Sequence, residues 1–230
     1  MSEATVRPPA HAPDMRRWFY GPGCWLTRLG MWFIGPLRFT GLENVPRQGA
    51  FILVANHQSN LDPLIIAATA GDKVGLLVHF MAKEELRHWP IIGWLASQAG
   101  QYFVRRGEGD RLAQRISFEL LANGEPIGMF PEGTRSKTGI LQAGRNGAAF
   151  LAIRAGVPLL PVSITGSGRL FPKGSRVPHR SKVTVRIGEP FEVAHRPDGR
   201  IDRAELTATT DRIMREIAAL LPPNARRPFA

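Results

Sequence analysis

Short apolar runs alternate along the chain with longer stretches in which apolar residues recur every three or four positions, and the two periods predict different elements. The runs at 51–55 (FILVA), 74–81 (VGLLVHFM), 101–104 (QYFV), 126–130 (PIGMF), 158–164 (PLLPVSI) and 182–187 (KVTVRI) read as strands. Helical spacing covers 108–122, which stops at Asn123-Gly124, then 146–155, which ends before Gly156, and 201–221, an amphipathic stretch ahead of two prolines. Asp62 followed by Pro63 reads as an N-cap with proline at the first helical position, opening the segment PLIIAATA. Strands and helices taken in turn predict a single α/β domain with a mostly parallel central sheet flanked by helices. The 230 residues suit one such domain: a lead-in at 1–13, an aromatic and basic segment at 14–40, the main domain at 41–222 and a tail at 223–230.

Charge changes the picture more than composition does. Apolar residues make up 43% of the chain and charged ones 21%, which suits a folded protein, but the formal net charge is +11. An excess of that size implies an anionic partner: nucleic acid, a phosphorylated molecule or an acidic membrane surface. None of the usual nucleic-acid readout motifs is evident, so no specific nucleic acid is expected. Cys24 is the sole cysteine, which excludes an internal disulfide framework and a multi-cysteine zinc site. The histidines show no ligand spacing with carboxylates, and no metal is expected.

Residues 16–39 gather Trp18, Trp25, Trp32 and Phe33 beside Arg16, Arg17, Arg28 and Arg38. Arg28 and the Gly-Pro pairs interrupt this stretch well short of the ~20 apolar residues of a spanning helix. Two readings stay open: an amphipathic helical segment apposed to a lipid surface, and a segment that covers the core of the domain.

The polar segments share a position, each directly after a strand: NHQSNLD at 56–62, RRGEGDR at 105–111, PEGTRS at 131–136 and TGSGR at 165–169. In an open α/β sheet, ligands bind beyond the carboxyl ends of the strands. If the strands run parallel, the four loops meet at one edge. That edge collects one candidate base, His57, one nearby carboxylate, Asp62, and a phosphate-sized cluster of Arg105, Arg106, Arg135 and Lys137. Positions five apart do not face each other on a helix, so His57 and Asp62 touch only if the chain turns between them. A carboxylate-oriented neutral imidazole accepts a proton from a hydroxyl. No G-x-S-x-G elbow offers a protein nucleophile, so direct attack by a substrate alcohol is the simpler reaction. The competing reading makes Asp62 a helix cap and His57 a loop hydrogen-bond donor.

Four blocks in order, NHQSNLD, GQYFVRR at 100–106, FPEGTRS at 130–136 and VPLLPV at 157–162, resemble the glycerolipid acyltransferases, the 1-acylglycerol-3-phosphate acyltransferase family and its relatives. The resemblance covers about residues 40 to 190. It implies that His57 is the general base for the free sn-2 hydroxyl of a lysophospholipid, that Asp62 orients it, and that acyl-CoA or acyl carrier protein donates the acyl group. The product would be phosphatidic acid, with no cofactor beyond the donor. Arg106, Glu132, Gly133, Thr134 and Arg135 occupy the positions that hold the acceptor's phosphate in the family, and Arg105 beside them is a further candidate for the same ligand. Glu132 would repel a phosphate, so it is read as the partner that fixes the Arg135 or Arg106 fork. Residues 157–162 either line acyl-chain space or form a buried strand with prolines at its ends. The Arg105-Arg106 pair departs from the family's usual acid or lysine before the last arginine, and it leaves the acceptor open among lyso-lipids. The alternative of a different class is a non-catalytic protein that binds anionic lipid. Either reading implies a peripheral or monotopic protein at the cytoplasmic face of the plasma (inner) membrane, with the anionic surface as a partner.

Overall fold

Among the residues that the computed structural model describes, 35–67, 69, 77–83, 101–104, 109–170 and 179–226 with Trp25, Leu29, Gly30 and Trp32 ahead of them, seven strands form one sheet. They are β1 (Leu37–Thr40), β2 (Ile52–Ala55), β3 (His79–Lys83), β4 (Tyr102–Val104), β5 (Ile127–Met129), β6 (Leu159–Thr165) and β7 (Val183–Ile187), in the spatial order β1-β7-β6-β2-β5-β3-β4. The helices are α1 (Asp62–Ile66), α2 (Gly109–Ala122), α3 (Gly147–Ala155) and α4 (Arg203–Leu220). The lead-in, Cys24 and the loop carrying Arg105 and Arg106 lie outside the described residues.

β2 lies inside the sheet, and all four of its residues are fully buried, as expected of a strand covered on both faces. Its side chains alternate between two cores. Ile52 and Val54 join Leu120, Leu151, Ile213 and Met214 beneath α2, α3 and α4, while Leu53 and Ala55 join Ile65, Ile66, Leu160 and Val162 beneath α1. Gly156 ends α3 in the left-handed conformation (φ 65°) and donates its N–H to the Ala152 carbonyl, so the glycine read as a stop signal closes the helix.

The sheet departs from the expected pattern in four places. Leu37–Thr40, read as the end of the interfacial segment, is a strand paired in parallel with β7. The second strand starts at His79 rather than at residue 74. β7 runs antiparallel to β6, whereas every other neighbouring pair is parallel. The fourth block forms β6 at the centre of the sheet, with Pro161 inside the strand rather than at its end. Pro161 is tolerated because it falls between the Leu159–Phe191 bridge and the Val162–Ile187 pair, where its carbonyl accepts the Gly188 N–H at 2.9 Å and no ladder donor is needed.

The reversal at β7 has a positional consequence. It brings the first residues of β7 and β1 to the edge where β2, β3, β4, β5 and β6 end. The chain enters the domain there, with the Pro36 carbonyl accepting from Val183 N–H at 3.0 Å. Within the described part of the tail, Leu141 donates its N–H to the Ala225 carbonyl at 2.9 Å, and both residues are buried. No helix among the described residues is long and apolar enough to cross a membrane.

Candidate active site

Asn56 ends the run of β2 by imitating a strand. Its amide nitrogen donates to the Ile164 carbonyl at 2.8 Å and its amide oxygen accepts the Ile164 N–H at 2.7 Å. The side chain thus continues the β2–β6 pairing while freeing the main chain to leave the sheet. Past this anchor the chain coils around a single carboxylate oxygen. Asp62 Oδ2 accepts the N–H of Gln58 at 2.6 Å and of Ser59 at 2.7 Å, and it meets His57 Nδ1 at 2.9 Å. Asp62 is wholly buried, and three donors on one oxygen are what an ionised carboxylate in such a place requires.

The turn expected between His57 and Asp62 is therefore present, but Asp62 is not an N-cap. It is the first residue of α1, after Leu61, and its carboxylate points back into the loop instead of capping the turn ahead. Pro63 keeps the expected place at the start of the helix. The Nδ1–Asp62 bond leaves Nε2 on the far side of a ring that is 17% exposed, and among the described residues Nε2 has no partner.

The third block builds the seat of this histidine. Phe130 stacks on the imidazole with centroids 4.0 Å apart and planes 13° from parallel, and Phe80 lies behind it at 5.4 Å. The face of an aromatic ring is electron-rich and favours a cation above it, so the stack supports the imidazolium that a proton transfer creates. Ser136 N–H donates to the His57 carbonyl at 2.7 Å. Glu132 accepts the His57 N–H at 2.8 Å on one oxygen and the Gln142 N–H at 3.0 Å on the other.

This geometry corrects the expected pairing of Glu132 with an arginine. The side chain is buried, and both oxygens are occupied by main-chain donors, so Glu132 clamps the histidine loop to the 130–145 loop. Burial raises its carboxyl above the ordinary value, against the pull of those two N–H groups and of His57. Glu132→Gln leaves one oxygen to accept and turns an amide donor toward the other N–H. We expect it to cost about 1–3 kcal/mol in denaturant unfolding and to lower kcat while KM holds. Unchanged kcat with lowered stability would show that the clamp does not reach the catalytic ring.

Gly133 closes a tight turn, donating its N–H to the Phe130 carbonyl at 2.9 Å with φ at 67°. A Cβ there would sit 2.8 Å from Arg145 Nε, so both the conformation and the space call for glycine. Beyond the turn, Thr134 and Arg135 line a cavity of about 690 Å³ beside the catalytic loop, together with Gln58, Lys137 and Arg169. Pro222, Asn224 and Ala225 contribute to the same wall, so the tail takes part in the site. His57, Asp62, Glu132, Gly133, Thr134 and Arg135 are thus gathered at one edge; Arg105 and Arg106 lie outside the described residues.

This arrangement suits general-base chemistry: an oriented imidazole with one nitrogen available, in a loop whose Gln58 lines a polar, cationic cavity. The chain belongs to the acyltransferase family, whose model matches residues 36–165. It is 33% identical over 159 residues to the chloroplastic 1-acyl-sn-glycerol-3-phosphate acyltransferase of Arabidopsis thaliana, covering 67% of this chain and 43% of that one. It is 32% identical over 208 residues to the lyso-ornithine lipid O-acyltransferase of Pseudomonas aeruginosa, covering 83% and 75%. The crystal structure of the 1-acyl-sn-glycerophosphate (LPA) acyltransferase PlsC from Thermotoga maritima superposes with a TM-score of 0.70 at 32% identity, over 89% of this chain and 80% of that one. The chain spans less than half the length of the plant relatives it matches.

Proposed function

We propose that the protein transfers a fatty acyl group from a thioester, acyl-CoA or acyl carrier protein, to the free sn-2 hydroxyl of 1-acylglycerol 3-phosphate, giving phosphatidic acid. The observation that carries this reading is the buried Asp62 carboxylate holding His57 by Nδ1 and leaving Nε2 available, in a loop whose next residue, Gln58, lines a cavity with Arg135. In the reaction, His57 Nε2 takes the hydroxyl proton as the oxygen attacks the thioester carbonyl. Collapse of the tetrahedral adduct breaks the C–S bond, and the departing thiolate takes the proton back from the imidazolium. Asp62 keeps the Nδ1–H tautomer and stabilises the charged ring in between. No cofactor beyond the donor thioester enters this scheme.

Arg135 supports a phosphate-bearing acceptor, since a guanidinium fork matches a phosphate dianion. A membrane-facing placement is supported at the same edge. Trp25, Leu29 and Trp32 are helical and exposed, and the chain they precede enters the domain beside the site. We accordingly assign the protein to the cytoplasmic face of the inner membrane, with the site opening toward the lipid.

The test is thiol release from an oleoyl thioester of coenzyme A, with and without lysophosphatidic acid. Release that depends on the acceptor supports the reading, whereas release from neither coenzyme A nor acyl carrier protein thioesters, with any lyso-lipid, overturns it in favour of a lipid-binding protein. In the same assay Arg135→Ala should raise KM for lysophosphatidic acid by about tenfold or more and leave a phosphate-free acceptor alcohol unaffected. An equal loss with both acceptors would make Arg135 structural.

A further inference from the structure

Arg135 shares its cavity with two further cations carried by different parts of the chain. Lys137 follows it on the same loop, and Arg169 comes from the turn after β6, while no aspartate or glutamate is among the described lining residues. None of the three has an acidic partner among the described residues. Like charges held around one cavity raise each other's energy, and the most stabilising ligand there is the one with the greatest negative charge in the smallest volume. A phosphomonoester dianion meets that description. A phosphodiester carries a single charge, and an amino-acid headgroup brings a cation with its carboxylate.

Arg169 is placed by backbone features that belong to its own turn. Gly166 has φ at 86°, and a Cβ there would come within 2.1 Å of the Lys182 carbonyl oxygen, so the turn lies hard against the start of β7. Ser181 Oγ donates to the Gly166 carbonyl at 2.9 Å. Gly168 abuts Gln58, with a built Cβ 3.4 Å from the Gln58 carbonyl oxygen, so the Arg169 turn packs on the residue that follows His57. In 1-acylglycerol 3-phosphate the reacting oxygen and the phosphorus are four bonds apart. An acceptor phosphate must therefore lie one headgroup's reach from the His57 ring, and Gln58, the next residue, lines the cavity.

We propose that Arg169, which lines the cavity with Arg135 and Lys137, is a specificity-determining residue for the acceptor's phosphomonoester dianion and favours lysophosphatidic acid over lyso-lipids with diester or amino-acid headgroups. The assignment rests on the acyltransferase reading and goes beyond it by naming the residue that selects the headgroup. The experiment is steady-state kinetics of wild type, Arg169→Ala and Arg169→Lys on three acceptors: lysophosphatidic acid, lysophosphatidylglycerol and 1-acylglycerol. Acyl-CoA is varied separately, and inorganic phosphate is added as a competing probe.

Arg169→Ala is expected to raise KM for lysophosphatidic acid about ten- to a hundredfold and to change kcat less than about twofold. KM for 1-acylglycerol stays where it was, phosphate inhibition weakens, and Arg169→Lys recovers part of the loss because it keeps the charge without the fork. An unchanged KM for lysophosphatidic acid, an equal rise for all three acceptors, or a rise confined to acyl-CoA overturns the proposal; the last would place the donor's phosphates in the cavity. These results leave the acyltransferase reading standing. A wild-type protein that ignores lysophosphatidic acid but acylates 1-acylglycerol overturns the proposal and still leaves an acyltransferase, whereas one that acylates none of the acceptors overturns both.

Discussion

Replacing His57 by alanine will lower kcat for acyl transfer by about 10²- to 10⁴-fold and leave the fold intact. The magnitude follows from what remains. His57 is the imidazole that the buried Asp62 carboxylate holds at the carboxyl edge, and an alcohol has to lose its proton as it attacks. The fold survives because the loop is held by groups other than the ring. Asn56 keeps its amide pair to Ile164, Glu132 keeps the residue-57 N–H, Ser136 keeps the carbonyl, and Asp62 keeps Gln58 and Ser59. The ring gives up one hydrogen bond and its stack on Phe130, partly exposed, so a loss of about 1 kcal/mol is the scale to expect. Thiol release measured beside a denaturant titration separates the two effects. A variant that melts normally yet keeps a tenth of wild-type kcat would remove His57 as the base.

The contact between His57 and Asp62 was legible in the chain for a stated reason, and what was not legible has its reason too. A histidine and an acid five apart, after a buried strand and before a proline, leave few arrangements other than a turn that brings them together. Glu132 gave no such clue. A sequence shows an acid amid arginines, and ion pairing is the natural inference. The partners it has are main-chain N–H groups of His57 and Gln142, which leave no mark in residue types. Asn56 was silent for the same reason, since its amide pairs with the backbone of Ile164.

Strand direction was equally hidden. The pattern of β7 is that of any half-buried strand, and nothing in its residues reports that it runs against β6. β1 was lost because its four residues continue an aromatic stretch whose spacing reads as helical. That loss mattered for the site, because β1 and β7 begin at the edge where the other strands end.

Asp62 is where stability and catalysis meet, and two substitutions there should part them. Asp62→Ala removes the acceptor of the Gln58 and Ser59 N–H groups in a position closed to water. A buried donor left unsatisfied costs about 1–3 kcal/mol, so the pair amounts to about 2–6 kcal/mol, against a total stability on the order of 5–15 kcal/mol. We expect a large drop in denaturation midpoint and no measurable turnover. Asp62→Asn keeps the shape. The two N–H groups require an oxygen where Oδ2 stands, so the amide NH₂ is directed to the Oδ1 side, and His57 retains its Nδ1–H tautomer. What disappears is the negative charge beside a ring that must become positive. Coulomb attraction between unit charges 4 Å apart is roughly 4 kcal/mol at an effective dielectric of 20, which caps the loss of kcat near about 10³-fold. Exchanging charged acceptors for neutral ones should lower stability by only about 2 kcal/mol. The asparagine variant is therefore expected to remain folded and to be slow. If it turned over at the wild-type rate, Asp62 would organise the loop without stabilising the charged histidine. If the alanine variant unfolded at the wild-type denaturant concentration, the carboxylate would not be what coils residues 57–62 into the catalytic turn.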